Sequence, residues 1–180
     1  MSVQPQPVTY EEILELFRKT DQQMKATDRR LNRKIGALGS RIGQIVESMV
    51  RGDIVGKFQA LDYKVTRYAR EVVFENKDLD IRGEIDLFLE DGDVSILVEV
   101  KTTLETVDVR KHIERLEKYR RYSDARKDER TQRFVGAVAG AVVKGETMSF
   151  AHENGIYVIV QSGKAVEIAP LPKDFRVKEW

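Results

Sequence analysis

Residues 81–101 read IRGEIDLFLEDGDVSILVEVK. Two runs that alternate apolar and polar residues flank Asp91-Gly92, a dipeptide that favours tight hairpin turns. The stretch therefore reads as a strand over Ile81–Glu90, a two-residue turn at Asp91-Gly92, and a strand over Val94–Lys101. Such a turn pairs Glu90 with Asp93, and the rest of the register follows by counting, because successive side chains point to opposite faces. Ile85 then faces Val98, Leu87 faces Ile96 and Leu89 faces Val94, giving one apolar face. The other face carries Glu84, Asp86, Phe88, Leu97, Glu99 and Lys101. Glu84 falls opposite Glu99, and Asp86 lies one diagonal step away, ~7 Å at the backbone.

Three acids and a lysine on one face of a hairpin carry an electrostatic cost. Neighbouring carboxylates repel, and buried ones lose their hydration. A divalent cation offsets both effects, and carboxylates, a backbone carbonyl and water are the ligands that Mg²⁺ or Mn²⁺ takes. A lysine on the same face suits a scissile phosphate or an attacking water. Residues 84–108 hold eight acids and one lysine, a local net charge of −7. The plainer alternative is a solvated face of ordinary surface acids. Against it stands Ile96-Leu97-Val98, apolar on both faces immediately before Glu99. An acid is unusual at such a place in a strand.

Working outward, Glu105–Tyr122 reads as a helix, with Val109, Ile113, Leu116 and Tyr119 or Arg120 repeating at helical spacing. Phe134–Val143 reads as a small-residue buried strand, Glu146–Asn154 as a short helix stopped by Gly155, Ile156–Val160 as a core strand and Lys164–Ile168 as an edge strand. Upstream, Val65–Phe74 is a further strand, and Thr9 to about Asp62 is helical in composition. Phe17, Met24, Leu31, Leu38 and Ile45 recur every seven residues, with Ile13, Thr20 and Thr27 between them and a stutter near Asn32–Ile35. That is a coiled-coil pattern, which needs a partner helix, most simply from a second copy. The expected class is α/β with a mixed central sheet, preceded by a long coiled-coil helix, and the expected domains are residues 1–42 and 43–180.

The 180 residues include 31 Lys+Arg and 30 Asp+Glu, a net charge of +1, which excludes a histone-like polycation and confines nucleic-acid contacts to local patches. Residues 110–133 carry a net +5 and residues 18–41 a net +6, and both suit phosphates. No cysteine is present, which removes disulfides, thiolate metal sites and cysteine nucleophiles. The two histidines, His112 and His152, are too few for a histidine-rich zinc centre. His112 reads as a surface group on the helix beside the acidic face, and His152 as a helix-end group. No apolar run is long enough to span a membrane, and the start MSVQPQP lacks the pattern of a secretory signal. The expectation is a cytoplasmic protein.

Gly83-Glu84-Ile85-Asp86 followed by Glu99-Val100-Lys101 resembles the PD-(D/E)XK nuclease superfamily, with the restriction-endonuclease-like fold. The layout from about Gly43 to Val160 is similar to that family's αβββαβ core. The chain resembles in particular a group of such proteins with an N-terminal coiled coil, through Gln44-Ile45-Val46-Glu47, the Glu-Val-Lys strand and the segment from Ala151 to Ile159. The resemblance implies that Asp86 and Glu99 are metal ligands, that the Val100 carbonyl is another, and that Lys101 is the catalytic lysine. It implies that Glu47, from the helix before the sheet, is a ligand or positions water. Glu84 is a possible additional acid. Ile85 stands where the family name implies a proline. Arg115, with Tyr119 four residues on, occupies the place of a Gln-x-x-x-Tyr motif found in some relatives. Arg110, Lys111, Arg115 and Lys118 are the expected nucleic-acid contacts. The implied function is a Mg²⁺- or Mn²⁺-dependent nuclease acting on DNA as a homodimer. The alternative is a non-catalytic module of the same fold, used for DNA binding or protein interaction.

Overall fold

The computed structural model describes residues 11, 13–31, 53–126, 132–162 and 165–180. The chain divides into two compact units, Met1–Ser40 and Arg41–Trp180. The boundary expected at residues 42 and 43 lies outside the described residues, as does Glu47.

In the first unit residues 13–31 are helical and every one is exposed. Lys19–Glu15 and Lys25–Asp21 pair one turn apart, at 3.0 and 2.7 Å. The hydroxyls of Thr20 and Thr27 each donate to the carbonyl four residues earlier, Leu16 and Gln23, at 2.9 Å. Ile13, Phe17, Met24 and Leu31 stand exposed along this helix.

The second unit runs α1 (Ile54–Gln59), β1 (Arg67–Asn76), β2 (Ile81–Asp91), β3 (Val94–Leu104), α2 (Thr106–Ala125), β4 (Arg133–Val143), α3 (Gly145–Glu153), β5 (Tyr157–Ser162) and β6 (Ala165–Ile168). The helix expected to continue through Asp62 does not. Asp53 adopts a left-handed backbone, φ 59°, and its carboxylate accepts the Gly56 N–H at 3.0 Å, so α1 starts afresh. The six strands form one sheet in sequence order. β1–β2, β2–β3 and β5–β6 are antiparallel, while β3–β4 and β4–β5 are parallel. This is the mixed α/β architecture expected. Each parallel step needs a crossover, and α2 and α3 supply the two.

One face of the sheet packs Leu87, Leu89, Ile96, Val98 and Val100 against Ile54 and Phe58 of α1. The other packs Phe88, Leu97, Phe134, Val138 and Val158 against Val109 and Leu116 of α2 and Ala151 of α3. β4, central and parallel, is buried on both faces over Phe134–Gly140. Its small residues admit the helices: a Cβ on Gly136 would stand 2.5 Å from Ile156 Cδ1 and 2.6 Å from Leu116 Cδ1.

The hairpin register differs from the expectation by two residues. Asp91 pairs with Val94, Leu89 with Ile96 and Leu87 with Val98, so the turn is Gly92-Asp93, with Gly92 at φ 42°. Asp91 belongs to the strand because its buried carboxylate accepts the Lys64 N–H at 2.6 Å. A shift of two leaves every side chain on its face but changes its opposite number. Glu84 therefore does not oppose Glu99; it pairs with Val73 of β1. A second difference lies at Ile85, which packs in the cluster under α2 rather than with Leu87 and Leu89. The alternation breaks at Asp86, opposite Glu71, whose φ of 52° interrupts the β1–β2 ladder between Arg70↔Leu87 and Val72↔Ile85.

Candidate active site at the end of the β2–β3 ladder

The site forms where β2 and β3 part company. Their ladder stops at Leu87↔Val98, while β2 continues to pair with β1 and β3 with β4. Had the ladder continued, the Val100 N–H would have donated to a β2 carbonyl. The Asp86 carboxylate takes that role instead, accepting the Val100 N–H at 2.7 Å. The N–H and C=O of one strand residue lie on the same edge, so the Val100 carbonyl is on the edge next to Asp86. Asp86 is half-buried and Glu84 is exposed.

Glu99 is 4% exposed. It shares the α2-facing side of β3 with Leu97 and Lys101, the side the alternation predicts. Its Oε1 is 2.5 Å from Lys101 Nζ, and its Oε2 accepts from Arg115 Nη1 of α2. A buried carboxylate loses hydration worth several kcal/mol and is retained only with close, hydrogen-bonded partners. Two cations meet that demand here. Arg115 is half-buried; burial holds its pKa below the ordinary arginine value, and the carboxylates of Asp86 and Glu84 act in the opposite direction. The structure thus brings Asp86, Glu99, Lys101 and the Val100 backbone together and adds Arg115, which the sequence marks as a nucleic-acid contact and places at the Gln-x-x-x-Tyr position but does not pair with Glu99. Spacing carried the signal for Arg115: it lies three residues from His112 and one from Leu116, both buried on the sheet-facing side of α2.

His112 is not a surface group. It is fully buried, with Nε2 3.0 Å from the Leu97 carbonyl and Nδ1 without a partner. Burial pulls its pKa down to about 4, with a smaller push from Lys101, while the bond to Leu97 works the other way. The imidazole is therefore neutral at pH 7 and donates from Nε2 to Leu97. His152 is also buried, with its Nε2 unpartnered. Of the expected nucleic-acid contacts, Lys111 and Lys118 are exposed and flank Arg115 along α2 at helical spacing. Arg110 is exposed and lies over the Phe150 ring, 4.5 Å from its centroid.

The donor set suits a hard cation, because two carboxylates with phosphate and water are what Mg²⁺ commonly takes. Among the described residues no three acidic or histidine side chains converge as a metal-holding group. A cation here would rest on Asp86, Glu99 and the Val100 carbonyl, and would compete with Lys101 and Arg115 for Glu99.

No family model matches the chain, and no curated protein matches it. Among solved structures the chain is similar to a repair endonuclease from Pyrococcus abyssi, with 16% identity, a TM-score of 0.39, and coverage of 62% of this chain and 45% of that one. The overlap spans less than half of that protein, so the reading of the site rests on this chain's own residues. No described helix is long and apolar enough to cross a membrane.

Proposed function

We infer that the protein is a divalent-metal-dependent phosphodiesterase acting on nucleic acid, with DNA as the substrate class and a coiled-coil homodimer as the working form. The observation that carries this reading is the placement of a nearly fully buried glutamate beside Lys101, at the break in the ladder that Asp86 fills. Bound Mg²⁺ or Mn²⁺ would neutralise phosphate charge and activate water. Asp86, Glu99 and the Val100 carbonyl would hold it, with Glu47 as a further ligand. Lys101 orients the phosphate or the water while offsetting charge that develops on the phosphate oxygens. Lys111 and Lys118 extend a basic stripe from the site along α2 for neighbouring phosphates.

The test is a cleavage screen on single-stranded, duplex and branched DNA with Mg²⁺ and Mn²⁺. Asp86→Ala and Lys101→Ala are each expected to lower cleavage by about a hundredfold or more while the protein still melts cooperatively. Undiminished cleavage by either variant would sink the assignment. A second reading, a non-catalytic binding module of the same fold, is favoured by the two cations that already occupy both oxygens of Glu99. It predicts no Mn²⁺ binding heat and no cleavage of any nucleic acid.

A further inference from the structure

The placement of Arg115 asks for an explanation that packing does not supply. It projects from the middle of α2, between the buried His112 and Leu116, so the root of the side chain is fixed. The side chain as a whole is about a quarter exposed, and its Nη1 pairs with Glu99 Oε2. Asp86 and Glu84 act on the same guanidinium. One planar cation is therefore paired with Glu99 and lies within the field of Asp86, the two acids a divalent ion would need. A guanidinium is weakly hydrated and presents a fork that matches a carboxylate or a phosphate equally well. It can pass from one to the other with its donors still satisfied. Lys111 and Lys118, one turn to either side and exposed, mark the direction in which a phosphate backbone would lie.

We propose that Arg115 is the internal counter-ion of this site: without metal it neutralises Glu99, and a divalent cation taken up by Asp86 and Glu99 displaces it toward the phosphate of the nucleic acid. This rests on the metal-dependent reading above and adds a competition between Arg115 and the metal. Metal uptake and phosphate binding then strengthen each other, because the first frees the group that serves the second. If Arg115 were instead a fixed strut holding Glu99 in its binding geometry, its removal would weaken metal binding. The two roles predict effects of opposite sign.

Calorimetric titration of Mn²⁺ into the full chain separates them, with wild type, Arg115→Met, Arg115→Lys and Asp86→Ala compared. Arg115→Met is expected to bind Mn²⁺ about tenfold more tightly, and Arg115→Lys to fall between it and wild type, a lysine being a single point charge of shorter overall reach. Equal or weaker binding by folded Arg115→Met overturns the proposal. Should that variant not fold, the Nε–H resonance of Arg115 in the wild-type protein, assigned by its absence in Arg115→Lys, gives the same answer. Its solvent exchange is expected to accelerate at saturating Mg²⁺, and unchanged exchange overturns the proposal. No Mn²⁺ heat from any variant, Arg115→Met included, removes the metal-dependent reading and this inference with it. Heat that disappears in Asp86→Ala but is unchanged in Arg115→Met overturns only the role of Arg115.

Discussion

His112 shows how one side chain can be legible in position and misread in kind. It falls three residues after Val109 and four before Leu116, so helical spacing places it on the buried stripe of α2. Its neighbours Arg110, Lys111 and Glu114 are charged, and a histidine among charges reads as a surface residue. The structure resolves the conflict through the Leu97 carbonyl, which accepts from the neutral ring at 3.0 Å. The consequence is a pH dependence whose sign can be worked out. The folded pKa, about 4, lies below the ordinary histidine value of 6.5 that holds in the unfolded chain. The unfolded state thus binds the extra proton first, and the stability His112 contributes is present above pH 6.5 and lost as pH falls toward 4. At 1.36 kcal/mol per unit the loss approaches ~3 kcal/mol as an upper bound. Urea unfolding at pH 7.0 and 4.5 should show a smaller fall in His112→Gln than in wild type. Equal falls would mean that carboxylates alone set the acid response. Arg115 is the complementary case, correctly placed beside the acidic face but assigned to phosphates because its bond to Glu99 spans two elements and leaves no mark in local sequence.

At the scale of elements, the strands and helices of the second unit follow their sequence patterns closely, and the misses are non-local in origin. The turn moved from Asp91-Gly92 to Gly92-Asp93 because Asp91 is held by Lys64, twenty-seven residues upstream. The face assignment survived because the shift was even, which is why Phe88 of β2 still shares the α2-facing side with Leu97 of β3. The inward turn of Ile85 depends on the positive φ of Glu71 on a neighbouring strand, and periodicity within β2 carries no trace of it. Gly155, read as the stop of α3, does more than end a helix. Its carbonyl accepts the Lys178 N–H at 3.1 Å, and beyond it Trp180 exchanges two backbone bonds with Phe134 of β4. At φ 70°, a Cβ on Gly155 would stand 2.5 Å from Lys178 N and 2.7 Å from Arg176 O, both backbone atoms that cannot turn aside. Gly155→Ala is expected to cost roughly 2 kcal/mol or more. Because Trp180 is the single tryptophan, its fluorescence should report early loosening of the terminal segment in urea. An unchanged midpoint and an unchanged Trp180 signal would show the segment to be anchored elsewhere.

At the scale of the whole molecule, the heptad pattern of the first unit and the exposure of its helix point the same way. Residues 13–31 form a helix with Phe17 69%, Met24 60% and Leu31 54% exposed. A lone helix with an exposed apolar stripe is marginal in water, and the described ion pairs, one turn apart, add only ~0.3–0.5 kcal/mol each. In the proposed dimer a second copy would bury this stripe. The two polar seam residues, Thr20 and Thr27, already donate their hydroxyls to carbonyls of their own helix, so an interface would leave neither donor orphaned. The Lys19–Glu15 and Lys25–Asp21 pairs stay clear of that stripe. A double substitution, Phe17→Glu with Met24→Glu, places two charges on the seam of each copy, and these face one another across a two-fold axis. Sedimentation equilibrium is expected to show wild type as a dimer and the double variant as a monomer, with the main melting transition of the second unit unchanged because neither residue belongs to that unit or to its described core. A wild-type monomer, or a double variant that remains dimeric, would place the partner of this helix elsewhere. Cleavage by a monomeric variant would then show whether one site suffices to cut a strand or whether two copies must act together.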